Sequence, residues 1–311
     1  MARSLLNVII LNYGTPDLTI ASAESVISEV EALGGKLILV DNASPDDSVQ
    51  RFIHWREARP GAPVELIVSI ENCGFAAGNN LGLKAAEADF FVLLNSDTVV
   101  EPGAMTALLD AMRADPALGL AGPMILDEKG TPAASRFRKR TPLSEFVEAT
   151  GLDFFYRRLA RHVVPIMDDD EADFDWISFA CIMLRSEMIA QVGFLDERYF
   201  MYFEDSAYSL KAVEAGWKIK RVERAVVRHF EAKSSQIDNA AKTNARLPRY
   251  FYAARARYFV DHYGWGGFIA ANLLWYLGRA VNAARALALK PRKKTASHKA
   301  LDIWIGPTFT P

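Results

Sequence analysis

Phe90-Phe91-Val92-Leu93-Leu94 is an unbroken apolar run, followed at once by Asn95-Ser96-Asp97. Five such residues make a strand, and the polar cluster behind them marks its carboxyl end. The pattern recurs upstream. Residues 6–11 end at Asn12-Tyr13-Gly14, residues 36–40 at Asp41-Asn42-Ala43-Ser44, and residues 64–70 at Glu71-Asn72-Cys73-Gly74. Segments of helical length separate these strands: 18–33, closed by Gly34-Gly35, then 46–59 and 76–88. Strands alternating with helices predict βαβ units and a mostly parallel sheet. Ligands of such sheets sit at the carboxyl ends of the strands, and all four polar clusters fall on that rim.

Farther on, 127–175 is less regular. It carries a basic run (Arg136, Arg138, Lys139, Arg140) and an acidic one (Asp168 to Glu171), and it reads as a mobile connection over the site. Asp168-Asp169-Asp170 has no apolar strand before it and reads as a solvated loop. Residues 176–184 predict a buried strand, 204–215 a helix stopped at Gly216, and 217–227 a further strand.

The chain has 311 residues, 50% of them apolar and 24% charged. That suffices for one large catalytic domain, 1–239, and an appendage, 240–311. Two cysteines, Cys73 and Cys181, make neither a disulfide framework nor a zinc pattern, so the chain reads as cytoplasmic. The first apolar run is too short for a signal peptide. No uninterrupted apolar stretch reaches the roughly 18 residues of a membrane span.

Charge divides unevenly. The appendage carries a net +10 and the rest −12. Residues 265–289 are rich in apolar and aromatic side chains, with Asn272, Arg279 and Asn282 on one helical stripe, and Lys290-Pro291-Arg292-Lys293-Lys294 follows. An apolar face beside a basic cluster predicts a helix lying in a membrane interface. The other reading is a helix packed on the catalytic domain or on a second copy of the chain. Nucleic acid fits less well, because the basic residues flank an apolar segment instead of lining a groove.

Three positions can carry chemistry. Asp97, at a strand end, can hold Mg²⁺ or Mn²⁺ through oxygen, or it can close an Asx turn before Thr98. Glu204-Asp205 opens a helix after the aromatic stretch 199–203. A carboxylate there can act as a general base or simply cap the helix, and capping lowers its pKa. His229, after a strand, can be a neutral metal ligand or an ordinary loop residue.

Taken together, the motifs resemble family 2 glycosyltransferases of the GT-A fold, in particular the rhamnosyltransferase-like branch. The resemblance spans about residues 6–265. It runs through Val8-Ile9-Ile10-Leu11-Asn12-Tyr13, Val40-Asp41-Asn42-Ala43-Ser44, Glu71-Asn72-Cys73-Gly74-Phe75-Ala76-Ala77-Gly78-Asn79-Asn80 and Leu93-Leu94-Asn95-Ser96-Asp97-Thr98. It continues through Gly193-Phe194-Leu195-Asp196-Glu197, Phe200-Met201-Tyr202-Phe203-Glu204-Asp205, Ala215-Gly216-Trp217 and Val226-Val227-Arg228-His229.

The resemblance implies an α/β fold, a Rossmann-like, mostly parallel sheet flanked by helices; the C-terminal helical extension is the part whose apolar and basic composition reads as membrane-associating. It implies that Asn12, Tyr13 and Asp41 bind base and ribose, that the loop ending at Asn79 and Asn80 closes the pocket, and that Asn95 and Ser96 lead to the metal-binding Asp97. It implies Asp205 as general base with Glu204 beside it, and His229 completing the metal site. The implied reaction is inverting transfer from a nucleotide sugar, dTDP-L-rhamnose first, to a lipid-linked or growing cell-surface polysaccharide, on the inner face of the cell membrane. A nucleotidyltransferase, which shares a Rossmann-like sheet and a metal carboxylate, usually opens on a basic phosphate loop that Asn12-Tyr13-Gly14 lacks; a non-catalytic sugar-nucleotide binder is the third reading. The chain departs from the family pattern at Gly14, where Asn is common, at Phe179, where Gly is usual, and at Ala207, where a second acid is frequent.

Overall fold

The computed structural model describes residues 3–166, 173–230, 245–287 and 296–308. The acidic run 168–171 and the basic cluster 290–294 lie outside them. The described residues form two units: 3–135, 177–198 and 204–230 in the first, and 136–166, 173–176, 199–203, 245–287 and 296–308 in the second. The C-terminal segment thus groups with residues 136–176.

The first unit follows the alternation read from the sequence: β1 (Ser4–Asn12), α1 (Pro16–Ala32), β2 (Lys36–Asp41), α2 (Ser48–Glu57), β3 (Val64–Val68), α3 (Gly74–Ala85), β4 (Ala88–Asn95) and β5 (Thr98–Val100). The helix α4 (Ala104–Ala114) and strand β6 (Leu118–Leu126) come next. The chain then forms β7 (Arg136–Phe137), α5 (Pro142–Thr150), α6 (Asp153–Arg158), β8 (Pro165–Ile166) and β9 (Trp176–Ile177), and returns as β10 (Cys181–Arg185), α7 (Ser186–Val192), α8 (Glu204–Glu214) and β11 (Lys218–His229). An eight-stranded sheet runs β3-β2-β1-β4-β10-β6-β11-β5. Its first four strands are mutually parallel, and β10 is antiparallel to both its neighbours.

The central strand β1 is an unbroken apolar run from Val8 to Leu11 because both its faces are covered there. Val8 and Ile10 belong to the core that includes Val26 and Val30 of α1. On the other face α3 lies against Ile9 and Leu11. A Cβ at Gly78 would meet the Leu11 side chain at 2.6 Å, and one at Gly82 would meet Ile9 at 2.7 Å. These two glycines set the helix-to-strand distance, which any side chain would widen.

The strand predicted over 176–184 is interrupted. Trp176–Ile177 and Cys181–Arg185 are strands, and 178–180 is not. The Ser178 hydroxyl accepts the Ala180 amide (3.2 Å), a local bond that competes with the ladder. The Phe179 ring is buried against Tyr208 of α8, centroids 6.2 Å apart. Cys181 is buried as read, and burial pushes its thiol up to about 12.

In the second unit, the described residues 136–166 hold regular helices where the sequence predicts a mobile connection. Helix α5 (Pro142–Thr150) starts with a reciprocal Thr141/Ser144 cap and stops at Gly151, whose φ is +58°. α6 (Asp153–Arg158) follows. α5 packs on the long C-terminal helix, Arg249–Leu287, which kinks at Gly264. The contact is backbone-close: a Cβ at Gly278 would meet the Phe146 carbonyl at 2.6 Å.

A buried charge cluster explains why this segment shows little apolar periodicity. Glu145, itself buried, pairs with Arg140 (2.8 Å) and with buried Arg255 (3.1 Å). Burial alone would raise the Glu145 carboxyl, but Arg255 and Arg140 outweigh it and hold it below its usual range. Arg255 also donates to Asn272 Oδ1 (2.8 Å), and Asn272 donates to the Ile303 carbonyl (3.1 Å). Asn282 donates to the Thr150 carbonyl (2.7 Å). The stripe of Asn272 and Asn282 therefore faces inward, where it satisfies buried carbonyls, and is not an outward polar face. Glu145→Ala leaves two arginines without their buried counter-ion. We expect a loss of about 3–5 kcal/mol, read as a lower urea midpoint. Because the Glu145 value is lowered, this contribution is present at neutral pH and fades as pH falls through its folded-state value.

Candidate active site

Parallel register sets Asn12 opposite Asp41, and both are buried at the strand ends. Asn12 Nδ2 donates to Asp41 Oδ1 (2.8 Å) and to Ser44 Oγ (2.8 Å). The Ser44 amide and hydroxyl donate to Asp41 Oδ2 and Oδ1, at 3.0 and 2.6 Å. Asn42 extends the rim: its amide donates to Asn72 Oδ1 (3.0 Å) and accepts from the Cys73 amide (3.1 Å). Three polar clusters, far apart in sequence, are thus one hydrogen-bonded ledge. Tyr13 stands on it with half its surface exposed.

The fourth cluster joins through hydroxyls. Ser96 Oγ lies 3.2 Å from Thr15 Oγ1, which lies 3.2 Å from Asn12 Oδ1. Asn95 takes its amide bond from β4 to the Ala180 carbonyl (2.9 Å). The turn after Asn95 is closed by the Thr98 hydroxyl on the Asn95 carbonyl (2.6 Å). Asp97 turns instead toward His229, Oδ1 to Nε2 3.1 Å, across 132 residues of sequence. The cause is the antiparallel pairing of β5 with β11, which sets Thr98 opposite His229, with the Phe230 amide on the Asp97 carbonyl (2.9 Å). Asp97 is 2% exposed and His229 17%.

Among the described residues no three His, Cys, Asp or Glu side chains gather in a metal cluster. Asp97 and His229 make a two-ligand set. That fits Mg²⁺ or Mn²⁺, which commonly keep waters and take phosphate oxygens for their other positions.

Asn79 and Asn80 are held within the fold. Asn79 Nδ2 donates to the Phe75 carbonyl (2.9 Å). Asn80 donates to the Leu195 carbonyl and to Glu197 (2.9 Å each), and accepts the Leu195 amide (3.1 Å). Asn80 thereby ties α3 to the loop 193–197, a link across 115 residues that no local pattern announces.

Asp205 sits in the first turn of α8, behind a backbone that few sequences would choose. Tyr202 and Phe203 have φ of +75° and +69°, a left-handed conformation that bulky residues rarely adopt. Their rings pack within the second unit: Tyr202 is stacked on Tyr250, and Phe203 lies against Phe251 and Tyr258. Glu204, opening α8, is buried. The Ser206 amide donates to Asp205 Oδ1 (2.7 Å). Burial nevertheless outweighs the Ser206 and Asp205 amides and pushes the Asp205 carboxyl up to about 7. The carboxylate thus accepts a local amide bond that lowers its pKa, and desolvation outweighs that bond. Phe179 adds to the packing of α8, resting on Tyr208 one turn beyond Asp205. Ala207 leaves this turn with two acids, Glu204 and Asp205.

Residues 7–176 match the sequence family described as Glycosyl transferase family 2. Over 264 residues the chain is 30% identical to an N-acetylglucosaminyl-diphospho-decaprenol L-rhamnosyltransferase of Mycobacterium tuberculosis, covering 78% of this chain and 79% of that one. Among solved structures it is similar to the mannosyltransferase PcManGT from Pyrobaculum calidifontis, in complex with GDP-Man and Mn²⁺. The TM-score is 0.58 at 16% identity, over 93% of this chain and 76% of the other. GalNAc-T7 with UDP, GalNAc and Mn²⁺ gives 0.56 at 12%, over 91% and 55%. At these identities the structural likeness concerns the fold, which is GT-A.

Proposed function

From the premise that this chain belongs to glycosyl transferase family 2, and is a glycosyltransferase, we propose that it moves a sugar from a nucleotide sugar to a hydroxyl of a lipid-linked acceptor, inverting the anomeric centre. The observation that carries the reading is Asp205. A carboxyl brought to about 7 at a helix start is a base matched to neutral pH. Support for the donor and acceptor class comes from the mycobacterial relative, whose name specifies L-rhamnosyl transfer to a decaprenol-linked sugar; dTDP-L-rhamnose is the first candidate.

In this reading Asn12, Tyr13 and Asp41 receive base and ribose, and Asn95 and Ser96 line the diphosphate side. Asn79 and Asn80 hold α3 and the loop 193–197 that border the pocket. Asp97 and His229 would hold Mg²⁺ or Mn²⁺, which supplies positive charge to the departing diphosphate. The acceptor oxygen attacks the anomeric carbon from the face opposite the nucleotide, and the bond to the diphosphate oxygen breaks. The proton of the acceptor hydroxyl passes to Asp205, with Glu204 fixed beside it. One displacement inverts the centre without a covalent sugar-enzyme intermediate.

A lipid-linked acceptor requires the enzyme at a bilayer. Among the described residues no helix is long and apolar enough to cross one, so attachment in this reading is peripheral, on the cytoplasmic face. The test is a panel of nucleotide sugars with Mg²⁺ or Mn²⁺ and a polyprenyl-diphosphate saccharide. The expected result is acceptor-dependent release of nucleoside diphosphate, highest from dTDP-L-rhamnose. Release of pyrophosphate would indicate nucleotidyl transfer, and binding without release a non-catalytic role; either overturns the reading.

A further inference from the structure

We propose that the outer face of the C-terminal helix from Trp265 to Ala284, with Leu301 and Trp304 beside it, is the surface that seats the protein on an anionic bilayer. The inference rests on the peripheral attachment just proposed and names the residues that carry it.

Large apolar side chains are exposed at Trp265, Ile269, Leu273, Tyr276 and Leu277. Their spacing, i, i+4, i+8, i+11 and i+12, is one face of a helix. Ala280 and Ala284 continue that face, and every position the helix exposes between 265 and 284 is uncharged. At about 1.5 Å per residue this is a strip of roughly 28 Å. The short helix Lys299–Asp302 and its C-terminal flank add Leu301 and Trp304. The Trp304 indole donates to the Tyr276 hydroxyl (3.2 Å), which ties the two pieces together.

The fold does not need this face. The same helix turns Phe268, Asn272, Trp275 and Asn282 inward, all buried, and those contacts anchor it. Its inner face is therefore polar in part and fully used, while its outer face is apolar and faces solvent. An uncharged strip of this length on a water-facing helix marks an interaction site. Trp and Tyr along such a strip suit the boundary between headgroups and acyl chains.

Charge selects the occupant. In sequence, Lys290, Arg292, Lys293 and Lys294 follow the helix, and the segment from 240 onward carries +10 while the remainder carries −12. Anionic lipid attracts the first and repels the second, so a bilayer is engaged by this end only. A second copy of the chain seated on the same face would bring two C-terminal segments of net +10 together around a two-fold axis, where like charges repel. An apolar strip and a polybasic segment acting together give stable peripheral attachment, whereas either alone is marginal.

The test uses the full chain and point substitutions, because truncation would remove Trp275 and leave Arg255 without Asn272 and the Thr150 carbonyl without Asn282. Leu273→Glu with Leu277→Glu charges the strip without touching the buried face. Ile70→Glu, at a fully exposed position of the first unit, is the control. Each protein is sedimented with phosphatidylcholine vesicles containing or lacking phosphatidylglycerol, and its transfer to a short-chain, water-soluble acceptor is measured in parallel. The expected result is binding of the parent and the control to phosphatidylglycerol vesicles, reduced by salt, and a loss of roughly tenfold or more in the double variant. Equal sedimentation of parent and double variant overturns this surface while leaving peripheral attachment standing. A parent that ignores anionic vesicles overturns both, and a dimer that the double variant dissociates assigns the strip to self-association. Transfer to the soluble acceptor reports on the catalytic reading separately, since these substitutions lie outside its residues.

Discussion

Asp205→Asn leaves nucleotide-sugar binding in place and lowers the rate of transfer by about a hundred- to ten-thousand-fold, the usual contribution of a positioned base. Asn has nearly the same shape and still accepts the Ser206 amide, so the helix start is conserved. What it lacks is the ability to take the acceptor proton. A cap alone would therefore survive the substitution with its turnover, and a variant retaining most of its rate sinks the general-base assignment.

The pH dependence gives an independent check. With the carboxyl at about 7, the base is protonated and idle below that value, so the parent's rate rises through pH 7 on an acid limb. Stability runs the other way. A carboxyl raised in the folded state binds its proton more tightly there than in the unfolded chain, so it favours the fold at acid pH. That contribution is complete below the ordinary value of 3.8 and is lost as pH rises through about 7. Asparagine has no such loss. The variant is thus expected to melt at a higher temperature than the parent at pH 8, and at nearly the same temperature near pH 4. Thermal unfolding at the two pH values measures the difference, and an equal offset at both removes the desolvation argument.

The fold was most legible where burial is two-sided. β1, β2 and β4 are apolar runs because helices or neighbouring strands cover them completely, and polar clusters mark their ends without ambiguity. Legibility fell where stability comes from pairing instead of apolar periodicity. α5 contains Glu145 and borders Arg140, so its stretch reads as a charged connection, although Glu145 is buried and paired with buried Arg255. The long helix misleads in the opposite sense. Its asparagines stand out as a polar stripe on an apolar helix, yet Asn272 and Asn282 hold the carbonyls of Ile303 and Thr150.

At the site, the residue types were legible and their partnerships were not. Nothing local couples Asp97 to His229; the pairing of β5 with β11 does. Likewise no sequence pattern announces left-handed backbone at Tyr202 and Phe203, since neither is glycine. Asn80 belongs to a motif that the resemblance assigns to a nucleotide pocket, while its own amide holds Leu195 and Glu197.

Asp97→Ala is expected to abolish metal-supported binding of a nucleoside diphosphate, by at least about a hundredfold, since even losing a partner that only supports a metal ligand typically weakens a site about 10–100-fold. The fold should survive. The Asp97 main chain, not its carboxylate, accepts the Phe230 amide and keeps β5 in register with β11. The Asp97 carboxylate and the His229 ring lie 3.1 Å apart, close enough that both would reach one bound cation. Removing the carboxylate takes away the only negative charge of that pair, and a lone imidazole holds an oxygen-preferring cation poorly. His229→Ala keeps the carboxylate and should weaken binding less. The double variant should be little worse than Asp97→Ala alone, because the two side chains act on one ion. Calorimetric titration of Mn²⁺ and nucleoside diphosphate, together and separately, reads all three proteins. Unchanged affinity in a folded Asp97→Ala protein would return this carboxylate to a merely structural role. A diphosphate affinity that never depended on the cation would instead leave the ledge of Asn12, Asp41 and Ser96 to bind the nucleotide unaided.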